Sequence, residues 1–480
     1  MSTPNPPVIP AQAWRVLAVT SLGVFIVFLD TTIVNVAFQT IKADFHASQS
    51  GLSWVLNAYA LVFAALLVPA GRLADQVGRR RVYVAGLAIF AVTSAACGLA
   101  PGTGLLVAAR ALQAVGAALV VPTSLALLLP AFPLAKRSTA VGLWGAMGAV
   151  AAASGPTIGA LLIRYVDWRA VFLVNVPVCL LAGVLVLRVV AESREPAPQP
   201  LPAVPGVLLV VAAPGLLALG IVQGPDWGWG SWRVVAAFAV GALLLVALLA
   251  QSRTTARPVV DPALFAVRSY SVANAGTLLF GTAFFAATLA NIVFLQTVWH
   301  WSVLRAALAV TPGPLTAAAF AGPAGRLADR YGHRVVLVPG ALIFAASQLL
   351  LAARVGAQPS YVAAWLPSAL LAGVGIGLTL PTLGSAAASS LPPARFGVGA
   401  AVNSTFRQLG AVLGVSLFVA VLGHPGPLTA LAAFDRSWEV TAGVSAASGV
   451  VCLGLRGTSA RQRVAAHAGV GDSRLAATST

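Results

Sequence analysis

Fourteen stretches of mostly apolar residues follow one another along this chain, each near the length of about 20 residues at which an α-helix crosses the hydrocarbon core of a bilayer. Within that core every backbone polar group must be satisfied internally, so successive stretches of this kind are helices. The expected spans are Trp14–Phe38, Leu52–Ala70, Val82–Ala100, Gly104–Leu129, Thr139–Ile163 and Ala170–Val190, then Pro202–Gln223 and Trp232–Ala250. The last six are Tyr270–Trp299, Leu304–Ala321, Val335–Ala353, Tyr361–Ser385, Phe396–Leu422 and Val440–Leu455. The tenth contains Pro312 and Pro314, and the fourteenth is short. With 59% hydrophobic and 9% charged residues in 480, the chain cannot cover its own surface without lipid.

Several functions are excluded at this level. The formal charge of +17 sits in short gaps between apolar runs, so it forms no nucleic-acid face. Cys97, Cys179 and Cys452 all fall inside apolar segments, which leaves no disulfide framework and no metal-ligand spacing. There is no phosphate-cradling loop and no room for a soluble domain, so an enzyme, direct ATP drive and a bound cofactor are not expected. The run from Trp14 has no small-residue cleavage site before Asp30 and reads as a retained first helix.

Basic residues orient the helices, because short cytoplasmic loops are enriched in Arg and Lys. An inside N-terminus assigns 20 Arg and Lys to the cytoplasm and seven to the exterior, with Arg110 and Arg407 inside helices. The bias holds to the end of the chain. An even number of crossings, with both termini cytoplasmic in an inner membrane, is therefore expected.

A repeat divides the chain. Pro69-Ala-Gly71-Arg72-Leu-Ala-Asp75 returns as Pro323-Ala-Gly325-Arg326-Leu-Ala-Asp329, and Gly78-Arg79-Arg80 returns as Gly332-His333-Arg334, at an offset of 254 residues. Gly116–Thr123 and Gly375–Thr382 match at an offset of 259. Duplicated parallel halves are the pattern by which transporters alternate access around a central site. The expected organisation is an all-α membrane protein. It has a tail (1–13), a six-helix bundle (14–200), two inserted helices (201–251), a second six-helix bundle (252–456) and a cytoplasmic tail (457–480). In the repeated loop, Asp75 is expected near a helix N-terminus, with Arg72 and Arg79–Arg81 at the cytoplasmic surface, in a clasp that forms in one access state.

A charge at bilayer depth is costly and normally faces the bundle interior. Asp30 lies sixteen residues beyond Trp14 and reads either as a helix-packing carboxylate or as a site for a proton or a cationic substrate. Arg110 and Gln113 share one face of the fourth helix, with Gly116 opening it to a neighbour; the second half has Ala369 and Ala372 at the equivalent places. Arg407 sits among Asn403, Ser404, Thr405 and Gln408 and reads either as part of a polar stripe facing the cavity or as a side chain that snorkels toward the cytoplasmic side. Asn35, Asn57, Tyr59, Asn291 and Gln296 are further candidate cavity residues, while Trp54 and Trp299 read as interface anchors. In the fifth helix Gly145, Gly148, Gly155, Pro156 and Gly159 line one face, as a packing seam and a hinge.

These motifs together resemble the fourteen-helix drug:proton antiporter branch of the major facilitator superfamily. The resemblance is carried by Gly71-Arg-Leu-Ala-Asp75-x-x-Gly78-Arg-Arg-Arg81 with its second copy, and by Leu29-Asp30-Thr-Thr-Ile-Val-Asn35-Val-Ala37. It is carried also by Arg110-x-x-Gln113-x-x-Gly116, Gly155-Pro156-x-x-Gly159 and Trp168-Arg169-x-x-Phe172-x-x-Asn175-x-Pro177. One departure is Ala160, where the exporter motif commonly has a second glycine. The resemblance implies export of a hydrophobic or amphiphilic compound against inward proton flow by a monomer in the lipid bilayer. It gives Asp30 to substrate or proton handling, Arg110 to coupling, and Arg72 and Asp75 to the gate. A proton-coupled nutrient importer, or a non-transporting receptor or scaffold, stays open.

Overall fold

The computed structural model describes residues 9–133, 136–196, 198–391, 395–423, 426 and 428–455. The expected C-terminal tail at 457–480 and most of the N-terminal tail lie outside the described residues. The first half of the chain forms α1 (Ala11–Asp44), α2 (Gln49–Val77), α3 (Arg79–Gly98), α4 (Thr103–Leu128), α5 (Arg137–Tyr165), α6 (Ala170–Leu173) and α7 (Asn175–Val189). Next come α8 (Val204–Trp227) and α9 (Trp232–Thr254). The remainder forms α10 (Pro262–Phe265), α11 (Arg268–Thr297), α12 (Val303–Val310), α13 (Pro312–Tyr331), α14 (His333–Arg354), α15 (Leu366–Ser389), α16 (Phe396–Leu422) and α17 (Ala430–Cys452).

Among the described residues, thirteen helical stretches are long and apolar enough to cross a membrane. They coincide with the first thirteen expected spans, with two local differences. The sixth is split at Val174 into α6 and α7. The tenth runs on from Val303 to Tyr331, because Pro312 falls at the first position of α13, where its missing N–H leaves no hydrogen bond unmade. The last helix, α17, starts at Ala430, ten residues before the expected Val440. Asp435, Arg436 and Glu439 keep it out of the apolar group, yet its stripe of Ala433, Phe434, Ser437, Trp438, Thr441 and Ser445 is buried.

The packing repeats with the sequence. In the first half α1 packs on α5 and α7, and α4 packs on α2 and α3. In the second half α11 packs on α16 and α17, and α15 packs on α13 and α14. Glycines set the closest of these crossings. A Cβ at Gly116 of α4 would lie 2.6 Å from the Phe90 amide nitrogen and 2.8 Å from the Gly86 carbonyl of α3. At Gly375 of α15 it would lie 2.7 Å from the Phe344 nitrogen and 2.9 Å from the Gly340 carbonyl of α14. Residues at the two repeat offsets thus make the same contact twice. The helices between the halves behave differently: α8 packs on α9, α2 and α16, while most of α9 is turned outward.

The two glycines carry a prediction. G116L and G375L each force α3 from α4 or α14 from α15, and should destabilise the purified protein by about 1–3 kcal/mol, read as a lower unfolding temperature in detergent. G145A, with open space at its Cβ, should leave that temperature unchanged. Equal effects at all three positions would show that the repeated crossing does not limit stability.

Candidate functional site

The polar residues of α1, α3, α4 and α7 meet in one network inside the first half. Asp30 of α1 is fully buried, and Arg110 and Gln113, one turn apart on α4, face it. Arg110 Nη1 donates to Asp30 Oδ2 at 2.5 Å and to Gln113 Oε1 at 2.6 Å, and Arg110 Nε donates to the Val55 carbonyl at 3.2 Å. The other carboxylate oxygen, Asp30 Oδ1, accepts from Asn175 Nδ2 at 2.8 Å and from Gln113 Nε2 at 3.1 Å. Ser94 of α3 accepts from both of those amides, at 2.6 Å from Gln113 and 3.2 Å from Asn175. Every partner of the carboxylate is a donor, the arrangement an ionised aspartate requires. The Arg110 guanidinium also lies over the Tyr59 ring at 4.1 Å and over Phe172 at 5.7 Å.

Beside this network is a cavity between the halves. Thr31, Asn35, Asn57, Tyr59 and Arg110 line it from α1, α2 and α4, and Phe285, Gln408, Ala411 and Val415 line it from α11 and α16. Its volume of about 30 Å³ holds one or two water molecules, far below the several hundred Å³ of a ligand pocket. Asn57 Nδ2 crosses to Ser416 Oγ at 3.2 Å, while Asn57 Oδ1 and the Tyr59 hydroxyl are buried without a hydrogen-bond partner among the described residues.

Four expected cavity or interface residues lie elsewhere. Asn291 accepts from Trp438 Nε1 at 3.0 Å, so it joins α11 to α17. Asn403 donates to Asn274 Oδ1 and Thr277 Oγ1 at 3.1 and 2.9 Å, joining α16 to α11. Gln296 reaches the Val36 carbonyl of α1 at 3.5 Å. Helix rotation turns all three into helix–helix contacts. Trp299 is buried among Phe294, Trp301 and Trp365 instead of anchoring at an interface. Arg407 is half-buried, its guanidinium 6.0 Å from the Phe28 ring. On α5, Gly148 meets Phe28 and Gly155 and Gly159 meet Thr32 and Ile33 of α1, as a packing seam requires; Gly145 faces open space. Pro156 sits inside an unbroken α5.

The repeated loop is held by partners absent from the motif. Asp75 does not cap a helix; it pairs with Arg79 at 2.9 Å across the turn at Gly78, and Arg79 also reaches Glu195 at 3.1 Å. The N-terminus of α3 is taken by Glu192, which accepts from the Arg80 and Arg81 amides at 2.9 and 3.2 Å. Gly78 has φ +128°, and a Cβ there would meet the Glu192 carboxylate at 2.9 Å, so the turn needs glycine twice over. Arg72 donates to the carbonyls of Pro200 and Pro258, and Arg80 to that of Val190. In the second copy Gly325, Arg326, Asp329 and Arg334 are exposed, and Gly332 repeats the turn with φ +93° and nothing within 4 Å of its Cβ position.

Ser94, Glu192, Glu195 and Asn274 carry no signal in the sequence beyond being polar, and Asn175 stands in a motif without a role of its own. Their contacts set two expectations. E192A removes acceptors from two α3 amides and should lower stability by about 1 kcal/mol, whereas E195A, breaking a half-exposed pair, should cost less, both read by thermal unfolding. N175A strips one donor from the buried carboxylate and should cost about 1–3 kcal/mol by the same measurement. An N175A protein as stable as the parent would remove Asn175 from the network.

The model of the Major Facilitator Superfamily matches residues 20–251 and 273–470 of this chain. The multidrug resistance protein Stp of Mycobacterium tuberculosis is 34% identical over 410 residues, 85% of this chain and 75% of that protein. The methylenomycin A resistance protein of Streptomyces coelicolor is 30% identical over 401 residues, 83% of this chain and 84% of that protein. Among solved structures, a bacterial homologue of the human lysosomal transporter Spinster, crystallised inward-facing and unoccupied, shares the fold with a TM-score of 0.63 at 15% identity, covering 92% of this chain and 95% of that one. The chain belongs to the major facilitator superfamily and is a multi-pass membrane transporter, not an enzyme.

Proposed function

We propose that the protein exports a hydrophobic or amphiphilic compound from the cytoplasm in exchange for protons, as a member of the fourteen-helix drug:proton antiporter branch. In this reading α17 is the fourteenth crossing and both termini are cytoplasmic. Residues 14–200 and 252–456 are two six-helix bundles, with α8 and α9 inserted between them, and a single copy suffices. The relatives named for multidrug and methylenomycin A resistance support export over import.

The observation that carries the reading is the buried Asp30–Arg110 pair at the edge of the cavity between the halves. A proton on Asp30 would cancel the charge that holds Arg110, leaving the guanidinium with the Gln113 and Val55 carbonyls and the Tyr59 face. Arg110 would then turn toward Asn57 and Tyr59, whose unpaired polar atoms line the cavity. That change alters the contact of α4 with α1 and so biases which side the halves open to. The loop network of Arg72, Asp75, Arg79, Glu192 and Glu195 would be the clasp on the cytoplasmic side, closed in this arrangement.

The test is a resistance and accumulation screen in an efflux-deficient host, with acidic, neutral and basic lipophilic compounds. Wild-type protein should lower accumulation of at least one compound, and D30N or collapse of the proton gradient should restore it. Export that persists after collapse would sink proton coupling, and no change for any compound would sink export.

A further inference from the structure

The charges inside the membrane-spanning helices bear on what the transporter carries. In the thirteen apolar spans only Asp30, Arg110 and Arg407 lie seven or more residues from either end. The first two compensate each other, and Gln113 and Asn175 occupy the second oxygen of Asp30. Three donors hold that carboxylate, and Asp30 is not among the residues that line the cavity, so it is not presented there to a cationic ligand.

Arg407 is different. Its side chain makes no hydrogen bond or ion pair among the described residues, and its one neighbour of note is the Phe28 ring. A guanidinium stays charged in a protein and carries five N–H donors, so this one is an uncompensated cation with its donors unused. It cannot escape by reaching the membrane surface. It lies eleven residues into α16, about 16 Å along the helix, farther than an arginine side chain extends. Its helix packs closely on α11 at this level: a Cβ on Gly281 of α11 would lie 3.3 Å from the Arg407 carbonyl. The next residue, Gln408, faces the cavity between the halves.

We propose that Arg407 receives an anionic group of the transported compound, so that the cargo class is lipophilic acids and not lipophilic cations. The proposal rests on the transport reading above. A planar cation with free donors beside an aromatic face suits a carboxylate, sulfonate, phosphate or acidic phenol carried on an apolar body.

The experiment uses the purified full-length protein in detergent and two aromatic probes of similar shape and opposite charge, pyrenesulfonate and pyrenyltrimethylammonium, each read against protein-free micelles. Equilibrium dialysis gives the affinity for each. The wild type should bind the anion at least about tenfold more tightly than the cation. R407K should keep the preference and R407Q should lose it. The wild-type ratio needs no variant, so a misfolded R407Q leaves the proposal testable. Equal binding, a preference for the cation, or an anion preference unchanged in R407Q would overturn it. Displacement of pyrenesulfonate by an equal concentration of chloride would assign an inorganic anion to the site and also overturn it. Binding is read without a proton gradient, so a failure of proton-driven export would leave this result standing, and the reverse holds too.

Discussion

Asp30 and Arg110 stand 2.5 Å apart with almost no access to water, and the arrangement of the first half follows from what that pair needs. Two charges withdrawn from water are stable together only when the remaining donors and lone pairs are also met, and removing one partner of such a pair costs about 3–5 kcal/mol. Meeting them takes α1 for the carboxylate, α4 for the guanidinium and Gln113, α3 for Ser94 and α7 for Asn175. The α2 backbone at Val55 and the Tyr59 ring hold the rest of the arginine. Five helices are thus fixed around one charge pair.

The second half repeats the packing without the chemistry. The Gly116 and Gly375 crossings are the same contact, and the turns at Gly78 and Gly332 share a backbone with positive φ. Yet Ala369 and Ala372 stand where Arg110 and Gln113 would be, and Glu192 serves only the first turn. Duplication preserved what backbone approach demands. The buried ion pair lies in one copy, and the charge deep in a spanning helix of the other is Arg407.

Sequence patterns reach this far for identifiable reasons. A charge in an apolar run is conspicuous, which makes Asp30, Arg110 and Arg407 visible, and the i, i+3 spacing places Gln113 on the same face as Arg110. Amides give no such direction. Asn35 and Asn57 line the cavity while Asn291 and Asn403 tie helices together, and only the rotation of each helix separates the two cases. Glu192 and Glu195 are hidden because their partners lie more than a hundred residues away in the chain. The true start of α17 escapes the apolar pattern because charged residues in its first turns mask a buried stripe.

The nature of the cargo constrains how exchange works. A cationic compound can displace a proton by competing for one carboxylate, a scheme that needs an aspartate open to the cavity. Here Asp30 is already paired, and the deep charge without a polar partner among the described residues is the cation at Arg407. In the proposed exchange, where proton and cargo share no carboxylate, antiport of an anionic compound would run through the shared conformational step. Under that proposal the proton-loaded and cargo-loaded forms would each be the ones that cross between access states, with the Asp30–Arg110 pair biasing which way the halves open.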